Sequence, residues 1–443
     1  MTSLTPTGLR SRRWLTDLTS GARDGRPANR MVNMRLLAVL GFTILVLLRI
    51  PQVVTSGRFW AEEGVVYFRA AWEEPWLDAL FKIHTGYLNM AASAATLLAL
   101  HLVPLERAPL VTAAFAGVIQ ILPAVLLATG RVVWLERWPA LVLALCLVLI
   151  PIGDGEVWLN SITSQFHLAL CVGLILALDA RRGWGGVGYG AILLIAPLVG
   201  PVCGTLTPLF LIRAGVERSW RRLVQAVLLG LPTLLQAVIV LTHPEPSRAM
   251  GIGMPLLVVV IAVENVILPL VGLQWAQTVA DLAKTSFQNG GMALRVALVG
   301  VVGLGGLGVA VYRTGDRTAW WMFVAGGTLA AASYSAALTL GQPLNLLVWI
   351  GNRYSFAPSV LLGLSLLGLA ATGGTIRRAV VGAVVVWMIA IAAGPYFRVP
   401  DIFGHGPNWR AEVAAWRRDP STELRIWPLG WRVPLDRAMR SGF

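Results

Sequence analysis

The sequence predicts an all-α polytopic membrane protein, and three observations carry that prediction. Mean hydropathy is +0.70, and 56% of the 443 residues are hydrophobic against 13% charged, a balance foreign to soluble globules. Apolar runs long enough to cross about 30 Å of hydrocarbon recur along most of the chain. They lack the period-2 alternation of barrel strands, and a backbone that must satisfy itself in lipid is then helical.

The net charge of +14 does not mark a nucleic-acid partner. Arginines cluster in short connectors and near both ends, as topology signals do, and no run interleaves basic and aromatic residues across an exposed domain. Lys82 and Lys284 are the only lysines. Trp134, Trp138, Trp184, Trp220, Trp320 and Trp321 flank apolar runs, as interfacial tryptophans do. Cys146, Cys171 and Cys203 lie in or beside apolar segments without the spacing of a disulfide framework or a metal site.

Residues 1–35 carry Arg10, Arg12, Arg13, Arg23, Arg26, Arg30 and Arg35 and are expected to stay cytoplasmic. No small-residue cleavage site follows the first apolar run, so Met34–Val54 reads as a signal anchor crossing outward. A polytopic domain is expected over 36–395, with a first outer loop at 55–108 and a second at 153–166. Leu88–Val103 is short for a span and is punctuated by Asn89 and His101. Laid on the outer surface as a juxtamembrane helix, it lets Pro109–Thr129 cross inward and keeps Arg131 and Arg137 cytoplasmic.

Alternation then follows. Pro139–Ile152 crosses outward and His167–Leu178 returns to Arg181 and Arg182. A hairpin interrupted by Pro197, Gly200, Pro201, Gly204 and Pro208 leads to Arg213, Arg218, Arg221 and Arg222. Arg222–Leu241 goes out again. The segment 255–290, with Glu264, Gln277 and Asp281, is either an outer amphipathic helix or a re-entrant pair. Arg313, Arg317, Arg377 and Arg378 are expected inside, giving about eleven transmembrane helices with the N-terminus cytoplasmic. The glycines of Val302–Val309 suit close helix packing. Residues 396–443 form a small extracytoplasmic tail, with a helix over Asn408–Arg418 and extended chain over Arg425–Val433. That tail either binds glycan through its tryptophans or caps the outer loops.

Polar residues converge on the outer side. Arg58, Glu62, Glu63, Tyr67 and His84 lie in the first outer loop; Asp154, Glu156, Asn160, Gln165 and His167 lie in or beside the second; Arg353 and Tyr354 open a late span. Carboxylates at a membrane boundary are costly unless paired or used. One can take a proton from an attacking hydroxyl, and an arginine can neutralise a departing phosphate. The plainer alternatives are a solvated loop with Arg58 as counter-charge, a snorkelling Arg353, and structural histidines. The histidines are too scattered for metal-ligand spacing.

The order of these pieces resembles the GT-C superfamily of membrane glycosyltransferases. The matching residues are Trp60-Ala-Glu62-Glu63-Gly-Val-Val-Tyr67, then His84-Thr-Gly-Tyr87-Leu, the helix 88–103 and the span opening at Arg107-Ala-Pro109. The interrupted hairpin Leu198–Pro208 and the dipeptide Arg353-Tyr354 extend the likeness, which is clearest over about residues 36–215. Gly86 stands where members often carry proline. The resemblance implies transfer of a sugar from a polyprenyl-phosphate carrier at the outer face of the cell membrane to a lipid, glycan or protein acceptor, with inversion. Glu62 or Glu63, with preference for Glu63, would be the general base. Arg353 would contact phosphate and Asp154 or Glu156 would orient the acceptor. No cofactor is implied beyond the lipid-linked sugar itself. The rival expectation is a transporter or flippase of lipid-linked sugars, for which Glu264 and Gln236 would be the deep polar groups. A non-catalytic envelope scaffold or a glycan polymerase would share the outer-face polarity.

Overall fold

The structure, a computed structural model, describes residues 25–149, 155–245, 253–339 and 343–438, with side chains from Val32 onward. The expected residue Asp154 and most of the segment 1–35 lie outside the described residues. The chain is an all-α polytopic membrane protein. Among the described residues eight helical segments are long and apolar enough to cross a membrane, and four shorter apolar helices accompany them. Among the described residues, the strands are two two-residue hairpins, β1 (Ile83–His84) with β2 (Tyr87–Leu88) and β3 (Leu424–Arg425) with β4 (Arg432–Val433), both antiparallel.

The first half comprises α1 (Gly25–Arg49), α2 (Met90–Leu102), α3 (Ala108–Thr129), α4 (Trp138–Leu149), α5 (Ser164–Ala177), α6 (Gly183–Val199), α7 (Thr207–Glu217) and α8 (Trp220–Thr242). The second comprises α9 (Met254–Ala262), α10 (Leu268–Gln288), α11 (Leu294–Thr314), α12 (Arg317–Leu338), α13 (Phe356–Ala371), α14 (Thr375–Phe397) and the tail helix α15 (Trp409–Arg418). Burial sorts them. Every residue of α5 from Phe166 onward is buried, as is 78% of the apolar window of α13, against 17% for α1, α11 and α14. The first two are the central posts and the last three face lipid. Small residues let the posts pack closely: Leu361 crowds Gly173, Leu362 crowds Gly326 and Ala319 crowds Gly368.

The two ends of the bundle differ in chemistry. At one end arginines cap helix carbonyls. Arg35 donates to Ala128 O (3.1 Å), Arg181 to Thr129 O, Arg222 to Leu178 O (2.5 Å), and Arg213 to Leu176 O. These carbonyls end α3 and α5, where no intrahelical donor remains. Glu217 ties the clasp by accepting from Arg213 (2.7 Å) and Arg222 (3.1 Å). The start of α1 and the end of α3 thus share this basic end. At the other end Gly57, just beyond α1, abuts Pro109 and Leu110 at the start of α3. Helix α2 starts beside the loop before α5, where Asn89 donates to Ile162 O (3.1 Å), and ends next to the start of α3, so both of its ends lie at that far end. Asn89 starts it by accepting from Ala92 N (3.2 Å).

The segment α9–α10 runs into the bundle from the far end and folds back towards it. Leu256 and Leu257 pack with Leu338 and Leu346 at the far end. Ala262 and Val266 then run inward along Gly300 and Gly303 of α11. A π-helical turn (Val263–Ile267) and the kink at Gly272, with φ of 81°, reverse the chain. Gln277 returns to donate to Leu347 O (3.3 Å). Gly300 and Gly303 serve this close packing and Gly308 meets Phe323 of α12, while a Cβ at Gly305 or Gly306 would meet open space. The tail folds onto the far end: Trp409, Val413, Trp416 and Leu424 bury themselves with Phe59, Phe68 and Trp72 of the first loop.

Candidate functional site

The far end encloses a cavity of about 260 Å³ whose wall includes Glu62, Tyr67, His84, Gln165, Arg353 and Tyr354, six residues singled out in the sequence. Thr85, Tyr87, Ile162, Thr163, Phe166, Pro201, Val202 and Ala336 complete it. A larger groove of about 690 Å³ lies between α2 and α15; its walls carry Trp416, one of the tail tryptophans, but none of the expected catalytic or substrate-binding residues.

The first wall is built by pairing between residues far apart in sequence. Trp427 N donates to Phe59 O (3.1 Å) and Ala61 N donates to Trp427 O (2.5 Å), so the tail lies as a strand along the acidic motif. Ala61 adopts φ of 43° and a π-helical turn (Glu63–Phe68) begins two residues later. Successive helical residues point about 100° apart, so only one of the two glutamates faces the cavity. It is Glu62.

Glu63 points the other way and is 1% exposed. Its carboxylate accepts from Trp60 N (3.2 Å), from Ser161 N (3.0 Å) and from the Ser161 hydroxyl. Burial pushes its carboxyl above the usual range, against the lowering influence of Ser161, Trp60 and Arg58. Its oxygens clamp the second loop to the first, and Glu63 is not among the residues lining this cavity.

Four more expected residues have other work. Arg58, 1% exposed, donates to Phe403 O (2.8 Å) and Trp158 O (3.1 Å), and lies 4.8 Å from the Trp60 ring and 5.3 Å from the Trp427 ring. It clasps both loops to the tail. Asn160 is fully buried; its side chain accepts from Ile162 N (3.0 Å) and its main-chain O from Thr163 Oγ1 (3.0 Å). His167 lies among aromatic rings, 4.9 Å from Trp158 and 4.4 Å from Phe356. Glu156 is a buried partner, not a loop carboxylate at the mouth: Arg353 bonds to it and Trp60 Nε1 donates to it at 3.1 Å.

The β1–β2 hairpin supplies the second wall. Its turn residues Thr85 and Gly86 have φ of 50° and 81°, and two positive values in a two-residue turn set His84 and Tyr87 side by side. Proline cannot adopt that φ, and a Cβ at Gly86 would lie 2.7 Å from His243 O. That accounts for glycine where the resemblance leads one to expect proline. Burial lowers the His84 pKa, outweighing the charges of Glu62 and Glu245, so its ring is neutral at pH 7. Burial raises the Tyr67 and Tyr87 phenols, with Tyr87 hydrogen-bonded to Gln165 and Thr85.

Three polar residues fix these walls from the apolar helices: Gln120, which the sequence did not mark, and Gln236 and Glu264, which it marked only as deep groups of a transporter. Gln120 in α3 accepts from Leu159 N (2.8 Å) and donates to Val157 O (3.2 Å). Gln236 in α8 donates to Leu88 O (2.9 Å) and accepts from Leu88 N (3.2 Å). Glu264 accepts from Gly351 N (2.9 Å) and Asn352 Nδ2 (3.0 Å). A buried amide or acid inside an apolar run is the one signal that could have found them. Among the described residues no group of three or more His, Cys, Asp or Glu is placed to hold a metal ion. The cavity thus presents one carboxylate, one guanidinium, a neutral imidazole, phenols and an amide beside an apolar flank. No protein-family model, curated protein or solved structure matches the chain.

Proposed function

We propose that the protein is a membrane glycosyltransferase that moves a sugar from a polyprenyl-phosphate carrier to an envelope lipid, glycan or protein acceptor at the outer face of the cell membrane. The observation that carries the proposal is the placement of Glu62 and Arg353 on one cavity wall at the end of the bundle opposite the arginine caps. Positive-inside orientation makes the capped end cytoplasmic and the cavity extracytoplasmic. On that orientation α1, α3–α8 and α11–α14 make about eleven passes, and the tail after Pro395 lies outside.

Glu62 is the general base. Its carboxylate takes the proton of an acceptor hydroxyl as that oxygen bonds to the anomeric carbon. The bond from that carbon to the carrier phosphate breaks with its electron pair going to the phosphate oxygen, and attack from the opposite side inverts the centre. Arg353, tethered to Glu156 and resting on Tyr354, neutralises the departing phosphate. Tyr67, Tyr87, Gln165 and neutral His84 orient sugar hydroxyls, while Phe166, Pro201 and Val202 border the lipid side.

The transporter alternative draws on the interrupted α6–α7 hairpin, whose Pro201 and Val202 reach the cavity. Its two deep polar groups, Gln236 and Glu264, are bonded to loop main chain, which favours a fixed pocket over a moving path. The test is transfer of radiolabelled sugar from polyprenyl-phosphate donors in membranes, comparing wild type with Glu62→Gln and Glu63→Gln at matched folded protein. Loss of about 10²-fold or more in Glu62→Gln is expected for a general base. Unchanged transfer in that variant rules out Glu62 as base, and donor-independent absence of transfer in wild type turns the question to transport.

A further inference from the structure

Glu264 is a buried carboxylate inside an apolar segment, 1% exposed, at the turn where α9–α10 folds back. Its two oxygens divide between two donors of one loop, Gly351 N and Asn352 Nδ2. Asn352 carries the connection onward. Its side-chain oxygen accepts from Tyr354 N (3.0 Å), its amide also donates to Trp349 O (3.0 Å), and its main-chain oxygen accepts from Ser355 Oγ (2.7 Å). The turn over 349–355 is therefore bonded from within, and one acid of a neighbouring membrane segment holds it from outside. Arg353 projects from the middle of that turn into the cavity wall.

Two features make this contact more than packing. The π-helical turn at Val263–Ile267 inserts an extra residue, which re-aims the following side chains by about 100°. Bonds from main-chain N–H and amide donors to a carboxylate are charge-assisted, and they strengthen where water is excluded.

We propose that Glu264 is a positioning residue: through Gly351 and Asn352 it fixes where Arg353 presents its guanidinium to a phosphate-bearing substrate in the cavity. The nature of that substrate rests on the glycosyl-transfer function proposed above; the latch itself does not. In Glu264→Gln the carboxamide NH₂ confronts a donor, so one of the two bonds is lost along with the charge. Loss of a hydrogen bond to a charged group corresponds to about a ten-fold or larger weakening of what it positions.

The experiment uses the full-length protein in nanodiscs with decaprenyl phosphate as probe, read by native mass spectrometry, alongside hydrogen exchange over residues 349–355 without probe. Glu264→Gln and Asn352→Ala are each expected to bind the probe about ten-fold more weakly, with faster exchange confined to that turn. In an Arg353→Met background the additional loss from Glu264→Gln is expected to vanish, because the latch acts through the guanidinium. An equal loss with and without Arg353 overturns the proposal, since Glu264 would then act structurally. Unchanged binding in Glu264→Gln and Asn352→Ala, while Arg353→Met binds poorly, overturns it as well. Failure of wild type to bind the probe removes the donor assignment; unchanged exchange in Glu264→Gln then overturns the latch, and faster exchange confined to the turn upholds it. Asn352→Ala keeps these outcomes readable if Glu264 variants do not fold.

Discussion

The two ends of the bundle differ in how they handle buried polarity: donors such as Arg58 answer carbonyls at both, but side-chain acceptors for main-chain N–H groups gather at the cavity end. At the basic end the main chain offers carbonyls, because α3 and α5 stop there, and the protein answers with guanidinium donors from Arg35, Arg181, Arg213 and Arg222. At the cavity end the loops also offer N–H groups, and the answer is acceptors: Glu63 for Ser161, Gln120 for Leu159, Gln236 for Leu88, Glu264 for Gly351. Arg353 departs from both patterns. It is an arginine at the cavity end, one-third exposed, held by a carboxylate beside an open space. An arginine that caps a helix serves the fold; one placed against a cavity is available to a ligand.

That contrast breaks most readily at Arg222. Arg222→Met removes the donors to Leu178 O and Ile175 O and half of the Glu217 clasp in a fully buried setting. A loss of about 3–5 kcal/mol is expected, seen as a large fall in thermal midpoint and folded yield in detergent. Arg353→Met is expected to change stability by less than about 1 kcal/mol while impairing transfer, given its exposure. Equal destabilisation of the two variants would erase the distinction between the ends.

Gln120→Leu sharpens the comparison from the other side. It strips partners from Leu159 N and Val157 O and is expected to cost about 2 kcal/mol, with faster hydrogen exchange centred on residues 157–161. Arg58→Lys keeps the charge but loses the planar fork between Trp60 and Trp427. A cost of about 1–2 kcal/mol and protease sensitivity of the tail are expected.

How much of this is legible without coordinates varies with the range of the contact. The helical membrane character, the short helix that the structure places at Met90–Leu102 and the interrupted hairpin follow from hydropathy blocks, prolines and arginine placement, all of them local signals. The choice between Glu62 and Glu63 does not, because one residue turns a side chain by about 100° and Ala61 takes a positive φ. The role of Glu264 depends on a partner 87 positions away. Arg58 looks like the counter-charge of its acidic neighbours and does act on Glu63, but its guanidinium also donates to carbonyls 100 and 345 positions downstream, which the sequence does not show. His167 opens a span as a ligand would, but Trp158 and Phe356 surround it.

The smallest expected effect concerns pH. His84 is held below its ordinary value of 6.5, chiefly by burial. The unfolded chain therefore binds the extra proton first, and the stability present above about pH 6.5 declines as pH falls towards the folded value. His84→Asn is expected to flatten that decline in urea titrations carried below about pH 6.5. An unaltered slope would mean that His84 titrates normally.

The strand formed by Trp427 against Phe59 and Ala61 has a consequence for how the protein is made. A chain threaded into the membrane as it leaves the ribosome inserts its early helices long before residue 403 is synthesised. The acidic motif then waits at the cavity end, with Phe59, Phe68 and Trp72 uncovered, until the tail is complete and docks. Maturation of the pocket is thus a late event, separate from insertion. A nascent chain halted after α14 would be fully embedded and still lack the wall behind Glu62.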